Sequence, residues 1–103
     1  MDMKGKETKI AEAVVSGKVK WDGNRPFEAP VRFTMHPSGR EFEYGTGYYM
    51  MVEVLGKEPI QVAHYDMRYI GTSDIRKAAK IAAKEYWGEN LEKIKIVKTY
   101  KAE

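Results

Sequence analysis

Cysteine is absent from the chain. Disulfide staples, thiolate zinc sites and cysteine nucleophiles are thereby excluded, and a reducing, cytoplasmic setting is the natural expectation. Long hydrophobic runs are missing as well. The densest, Tyr48 to Val52, falls far short of the ~20 apolar residues that a membrane helix requires. Met1-Asp2-Met3-Lys4-Gly5-Lys6 carries no apolar stretch behind its charges, so it does not read as a secretory signal. Neither internal repeats nor low-complexity tracts occur.

Catalytic signatures are equally scarce. Ser16, Ser38 and Ser73 lie outside any Gly-x-Ser-x-Gly elbow. Gly45-Thr46-Gly47 lacks both the Gly-Lys-Ser/Thr of a phosphate loop and the third glycine of a dinucleotide fingerprint; it reads as a strand bulge. His64, Asp66 and Arg68 fall on one strand face, about 7 Å between successive residues. His64 and Asp66 could serve an enzyme or begin a metal site, but no third or fourth ligand is spaced to complete one. The expectation is therefore no enzyme, no cofactor and no metal.

What is present is the composition of a folded domain. Hydrophobic residues make up 43% and charged residues 32% of 103 positions, enough for one self-sufficient core. The formal charge of +3 is unevenly placed. Residues 1–72 hold ten cations and ten acids, whereas residues 73–103 hold eight cations and five acids. Attraction to an anionic partner should centre on the C-terminal third.

Residues 1–8 are expected to form a flexible segment and 9–103 a single α+β domain. Phe27, Ala29, Val31, Phe33 and Met35 alternate with Glu28, Pro30, Arg32, Thr34 and His36, a strand of period two. Pro30 cannot donate to a ladder, which predicts an edge strand or a bulge. Pro37-Ser38-Gly39 predicts a turn, and Glu41 to Leu55 a long strand bent at 45–47, its second half central. Pro59 to Tyr69 predicts another strand. Ile75, Ala78, Ala79, Ala82, Ala83 and Tyr86 form one stripe of a helix over 73–87, capped by Thr72 or Ser73, with Asp74 complementing its dipole and Gly88 as a left-handed stop. Leu91 to Tyr100 predicts the last strand, Ile94 and Ile96 on one face, Lys93 and Lys95 on the other.

Residues 7–16 fit a helix or a strand. The preferred reading is a strand, bulged at Ser16-Gly17, that pairs with Phe27 to Met35 through Asp22-Gly23-Asn24. The order is then β-β-β-β-α-β, an antiparallel meander sheet with one helix packed on one face.

A sheet with two faces and one helix leaves tyrosines to meet a partner. Tyr48, Tyr49, Tyr65 and Tyr69 are the candidates for stacking bases. Lys77, Lys80 and Lys84 lie within about 60° on the helix at 100° per residue, and with Lys93 and Lys95 they are the candidates for phosphate contact. The expected function is a small nucleic-acid-binding module. The alternative is a protein-binding module (inhibitor, adaptor, self-associating subunit, or host-enzyme antagonist of mobile-element origin) that uses the strand edge near Pro30 and a Met and Tyr surface including Met50 or Met51.

Overall fold

The computed structural model describes the backbone of residues 7–42, 45–55, 61–66 and 74–102, and burial at 7–37, 48–55 and 74–102. The strands are β1 (Lys9–Val19), β2 (Arg25–Phe42), β3 (Gly45–Val54), β4 (Gln61–Asp66) and β5 (Leu91–Lys101), and the helix α1 is Ile75–Trp87. They form an antiparallel five-stranded sheet in the order β4-β3-β2-β1-β5. β1 to β4 are a meander, and α1 carries the chain back across one face so that β5 pairs with β1.

Alternation decides which side chains meet the helix. Ala11, Ala13 and Val15 of β1, Ala29, Val31, Phe33 and Met35 of β2, and Tyr48, Met50, Val52 and Val54 of β3 are buried beneath it. α1 answers with Ile75, Ala78, Ala79, Ala82 and Ala83, all buried. Alanines lack atoms beyond Cβ, so the helix axis lies close to the sheet. The larger volumes, Phe33, Met35 and Met50, come from the strands. Asp74 is the helix cap, its carboxylate accepting from the Arg76 N–H at 2.9 Å. That role was expected of Thr72 or Ser73. Gly88 stops the helix at φ 57° but with ψ −134°, outside the left-handed helical well expected there.

Two further expectations are corrected. β2 is an interior strand, not an edge strand, and its register with β1 runs unbroken from Lys9↔Met35 to Val19↔Arg25. Pro30 is tolerated because its carbonyl accepts from Leu55 N at 2.9 Å, just past the last β2–β3 partners, Val31↔Val54. The N and C=O of a strand residue point the same way, so the absent donor faces a ladder that has already ended. β2 as a whole is interior, but before Val31 the only described strand beside it is β1, so the edge expected near Pro30 is confined to that short stretch. The chain does not turn at 37–39. β2 continues to Phe42 with a register irregularity between Pro37 and Glu41, and pairs onward with β3 from Gly45.

Gly17 sits where β5 bulges. Ser16 pairs with Lys93 and Gly17 with Leu91, leaving Glu92 extra. The bulge is thus at the expected Ser16-Gly17 step, but the added residue belongs to β5. A Cβ on Gly17 would lie 1.8 Å from Asn90 O and 2.9 Å from its carbonyl carbon. Both are backbone atoms at the helix exit and cannot swing aside. Gly17→Ala should therefore destabilise the fold by about 2–4 kcal/mol, read as a lower urea midpoint by circular dichroism. Gly23→Ala meets no atom within 4 Å and should cost only its left-handed strain of about 1–2 kcal/mol. Equal losses in the two variants would contradict the close approach.

Candidate nucleic-acid interface

The face away from α1 has no described element packed on it. Register fixes what it displays. One row crosses four strands as Glu53↔Arg32, Arg32↔Glu12 and Glu12↔Lys98, alternating in sign. Arg32 grips Glu53 through the Nε–Nη2 edge of its guanidinium, Nε to Oε1 at 3.3 Å and Nη2 to Oε2 at 3.0 Å. The Glu53 hydrogen bond is the main reason the guanidinium is held even further above neutral pH than usual, with burial opposing. Lys98 Nζ lies 3.7 Å from Glu12 Oε2 and 5.3 Å from the centroid of the Tyr100 ring.

Beyond that row, His36 and Tyr49 are register partners whose rings stack at 4.9 Å and 20°. Thr8 Oγ1 lies 3.5 Å from His36 Nδ1. Tyr49 is 37% and Tyr100 38% exposed. Tyr100 pairs with Ile10, and Thr34 and Met51 pair between Ile10 and Tyr49's strand. The aromatic rings are thus set in a partly apolar patch. On the other side of the charged row, Lys95 pairs with Val14 and Lys93 with Ser16. Both lysines are exposed, and neither enters an ion pair with a described residue.

The expected site residues therefore separate. Tyr49, Lys93 and Lys95 share the uncovered face. Tyr48, at 4% exposed, is core beneath the helix and offers no surface for stacking; it is removed from the site. Register sets Tyr65 opposite Met50, a core position, while Tyr69 lies outside the described residues. Lys77, Lys80 and Lys84 are exposed on α1, on the other side of the sheet from Tyr49, so the two groups do not form one surface. Met50 is core and Met51 half-buried on the uncovered face. Register places His64 beside Met51 and Asp66 beside Tyr49; their side chains and all of Arg68 lie outside the described residues. Among the described residues no group of three His, Asp or Glu side chains could hold a metal ion, and no helix is long and apolar enough to cross a membrane.

Tyr100 and His36 were not among the expected contacts. Straight alternation from Ile94 and Ile96 sends Lys98 and Tyr100 under the helix. A second β5 bulge reverses the phase: Ala13 pairs with Ile96 and Glu12 with Lys98, leaving Val97 extra and exposed. The signal was local, a valine followed by Lys-Thr-Tyr-Lys at a strand end. His36 was hidden by the expected turn at 37–39, which would have separated it from Tyr49.

Tyr100 also supplies a pH test. Its hydroxyl donates to Glu12 Oε2 at 2.8 Å. This bond foremost, then partial loss of solvent and the Glu12 charge, raise the phenol above the usual tyrosine value, with Arg32 opposing. A phenol raised on folding contributes stability that is fully present below the unfolded value of about 10 and lost as pH climbs through the folded one. Glu12→Ala should move the Tyr100 titration, followed by carbon NMR of the ring, downward. An unmoved midpoint would rule out the hydrogen bond as its cause. Comparison of the chain with protein-family models, curated proteins and solved structures returned no significant match, so what the surface does has to be argued from the surface itself.

Proposed function

We propose that this protein is a small, non-enzymatic, cytoplasmic module that binds single-stranded nucleic acid on the sheet face left bare by α1. The observation that carries this reading is the company Tyr49 keeps. Exposed aromatic rings (Tyr49 on His36, and Tyr100) and lysines outside any ion pair with a described residue (Lys93 and Lys95) occupy the same face of one sheet. Bases stack on such rings whatever their identity, and lysines meet the phosphates between them. The helix lysines Lys77, Lys80 and Lys84 play no direct part, because a strand lying on Tyr49 cannot also reach the outer side of α1.

Edge-to-edge self-association is the weaker alternative. β5 is an edge, but it carries Lys93, Lys95, Lys98 and Lys101 and two bulges, which are the devices that deter strand pairing.

The test is anisotropy of a fluorescein-labelled twelve-nucleotide oligothymidine titrated with the protein. Tyr49→Ala and Tyr100→Ala should each weaken binding by about five- to a hundredfold, the usual worth of one stacked base. Lys93→Glu with Lys95→Glu should lower the slope of log affinity against log salt by about two. Replacing Lys77, Lys80 and Lys84 by Gln should change affinity by less than about threefold. Affinity independent of salt, or unaffected by both tyrosine replacements, would reject the reading.

A further inference from the structure

Trp21 is 82% exposed and has no part in the core. It stands in the short helical turn Lys20–Asp22 at the tip of the β1–β2 hairpin. A lone exposed apolar residue is ordinary, but this one is held firmly. Lys20 N donates to Asn90 Oδ1 at 3.0 Å, tying the tip to the helix exit. Arg25 Nε bonds Asp22 Oδ2 at 2.7 Å. Gly23 and Asn24 both adopt positive φ, 62° and 60°, the pair of values a type I′ turn needs. An indole presented on a braced turn loses little freedom on binding, so its contact area is retained as affinity.

A line of cations leads to it. Lys95 and Lys93 lie opposite Val14 and Ser16, and Lys18 follows on the same face of β1, opposite Pro26. Lys20 comes next at the tip. All four are exposed and none enters an ion pair with a described residue. The acids along this line are Glu12, engaged by Lys98 and Tyr100, Glu92 in the bulge beside Lys93, Glu28 across Ser16 on β2, away from β5, and Asp22, engaged by Arg25. The far end of the line is Tyr100, opposite Ile10. The path from the Ile10 row to the tip is roughly 30 Å, at ~3.3 Å per strand residue.

We infer that Trp21 is a second stacking platform and that the occupant of the track is one single strand of nucleic acid, running from Tyr49 and Tyr100 along β5 and β1 to the hairpin tip. This rests on the reading above and extends it, since that reading needs only the aromatic end. The negative charge of the occupant is argued from the four lysines outside any ion pair with a described residue, and its flexibility from the need to stack at both ends. An extended strand advances about 6 Å per nucleotide, so roughly five or six nucleotides span the track, within the range known for sheet-based single-strand binders.

Fluorescein-labelled oligothymidines of four, six, eight and twelve nucleotides provide the test, with circular dichroism melts to check that each variant is folded. Affinity should rise at least tenfold between four and eight nucleotides and then level off. Trp21→Ala should weaken the twelve-nucleotide complex about tenfold and flatten that rise, while Trp21→Phe restores most of it. Wild-type affinity for Trp21→Ala, with Tyr49→Ala still impaired, overturns the inference and leaves the aromatic face standing. Failure of every oligomer to bind overturns both.

Discussion

One constraint governs this molecule: a single helix has a single apolar stripe, and it must cover a sheet that has two faces. The stripe is built from Ala78, Ala79, Ala82 and Ala83 behind Ile75, so α1 can approach the strands closely. Phe33, Met35, Met50, Val15, Val31 and Val52 then become fully buried. Among the described residues no element packs on the opposite face. It carries half-buried Ile10, Val14 and Met51 interspersed among charges that pair across strands. Such a mixture keeps apolar patches small while leaving part of the Tyr49 and Tyr100 rings and the Lys93 and Lys95 ammonium groups open to solvent.

Much of the covered face was legible in the sequence, because period two and period 3.6 both report burial directly. The alternation over Phe27 to Met35 and the alanine stripe of α1 required no knowledge of tertiary neighbours. The strand over 9–19 was less clear, because Ile10, Ala13 and Val14 fit a helix as well, and Asp22-Gly23-Asn24 favoured the hairpin that the register shows. The uncovered face was less legible, since its membership depends on register. Val97 contributes nothing to a hydropathy pattern that distinguishes a bulge from a step of the ladder, yet it decides whether Tyr100 faces the helix or the open side. Tyr48 and Tyr49 are identical in type and adjacent, and only the strand's phase sends one into the core and the other outward. Pro30 misled because the rule that excludes proline from interior strands concerns its missing donor. Here that donor is missing where the neighbouring strand has already finished.

The charged row shapes what the uncovered face can recognise. Arg32 is the described arginine best placed at its centre, but the Nε–Nη2 edge of its guanidinium is spent on Glu53. Freeing it would leave the largely buried Glu53 carboxylate without its partner, which costs more than an exposed pair is worth. Bidentate recognition of a phosphate or a guanine edge through that edge of Arg32 is therefore disfavoured. The other described cations on that face are lysines, which act as point charges without directional demand. Stacking on tyrosine and histidine is likewise tolerant of base identity. On the proposed reading, the same ion-pair row that keeps the bare face stable in water also makes its binding largely indifferent to sequence, and the length of the occupied strand becomes the property the surface selects.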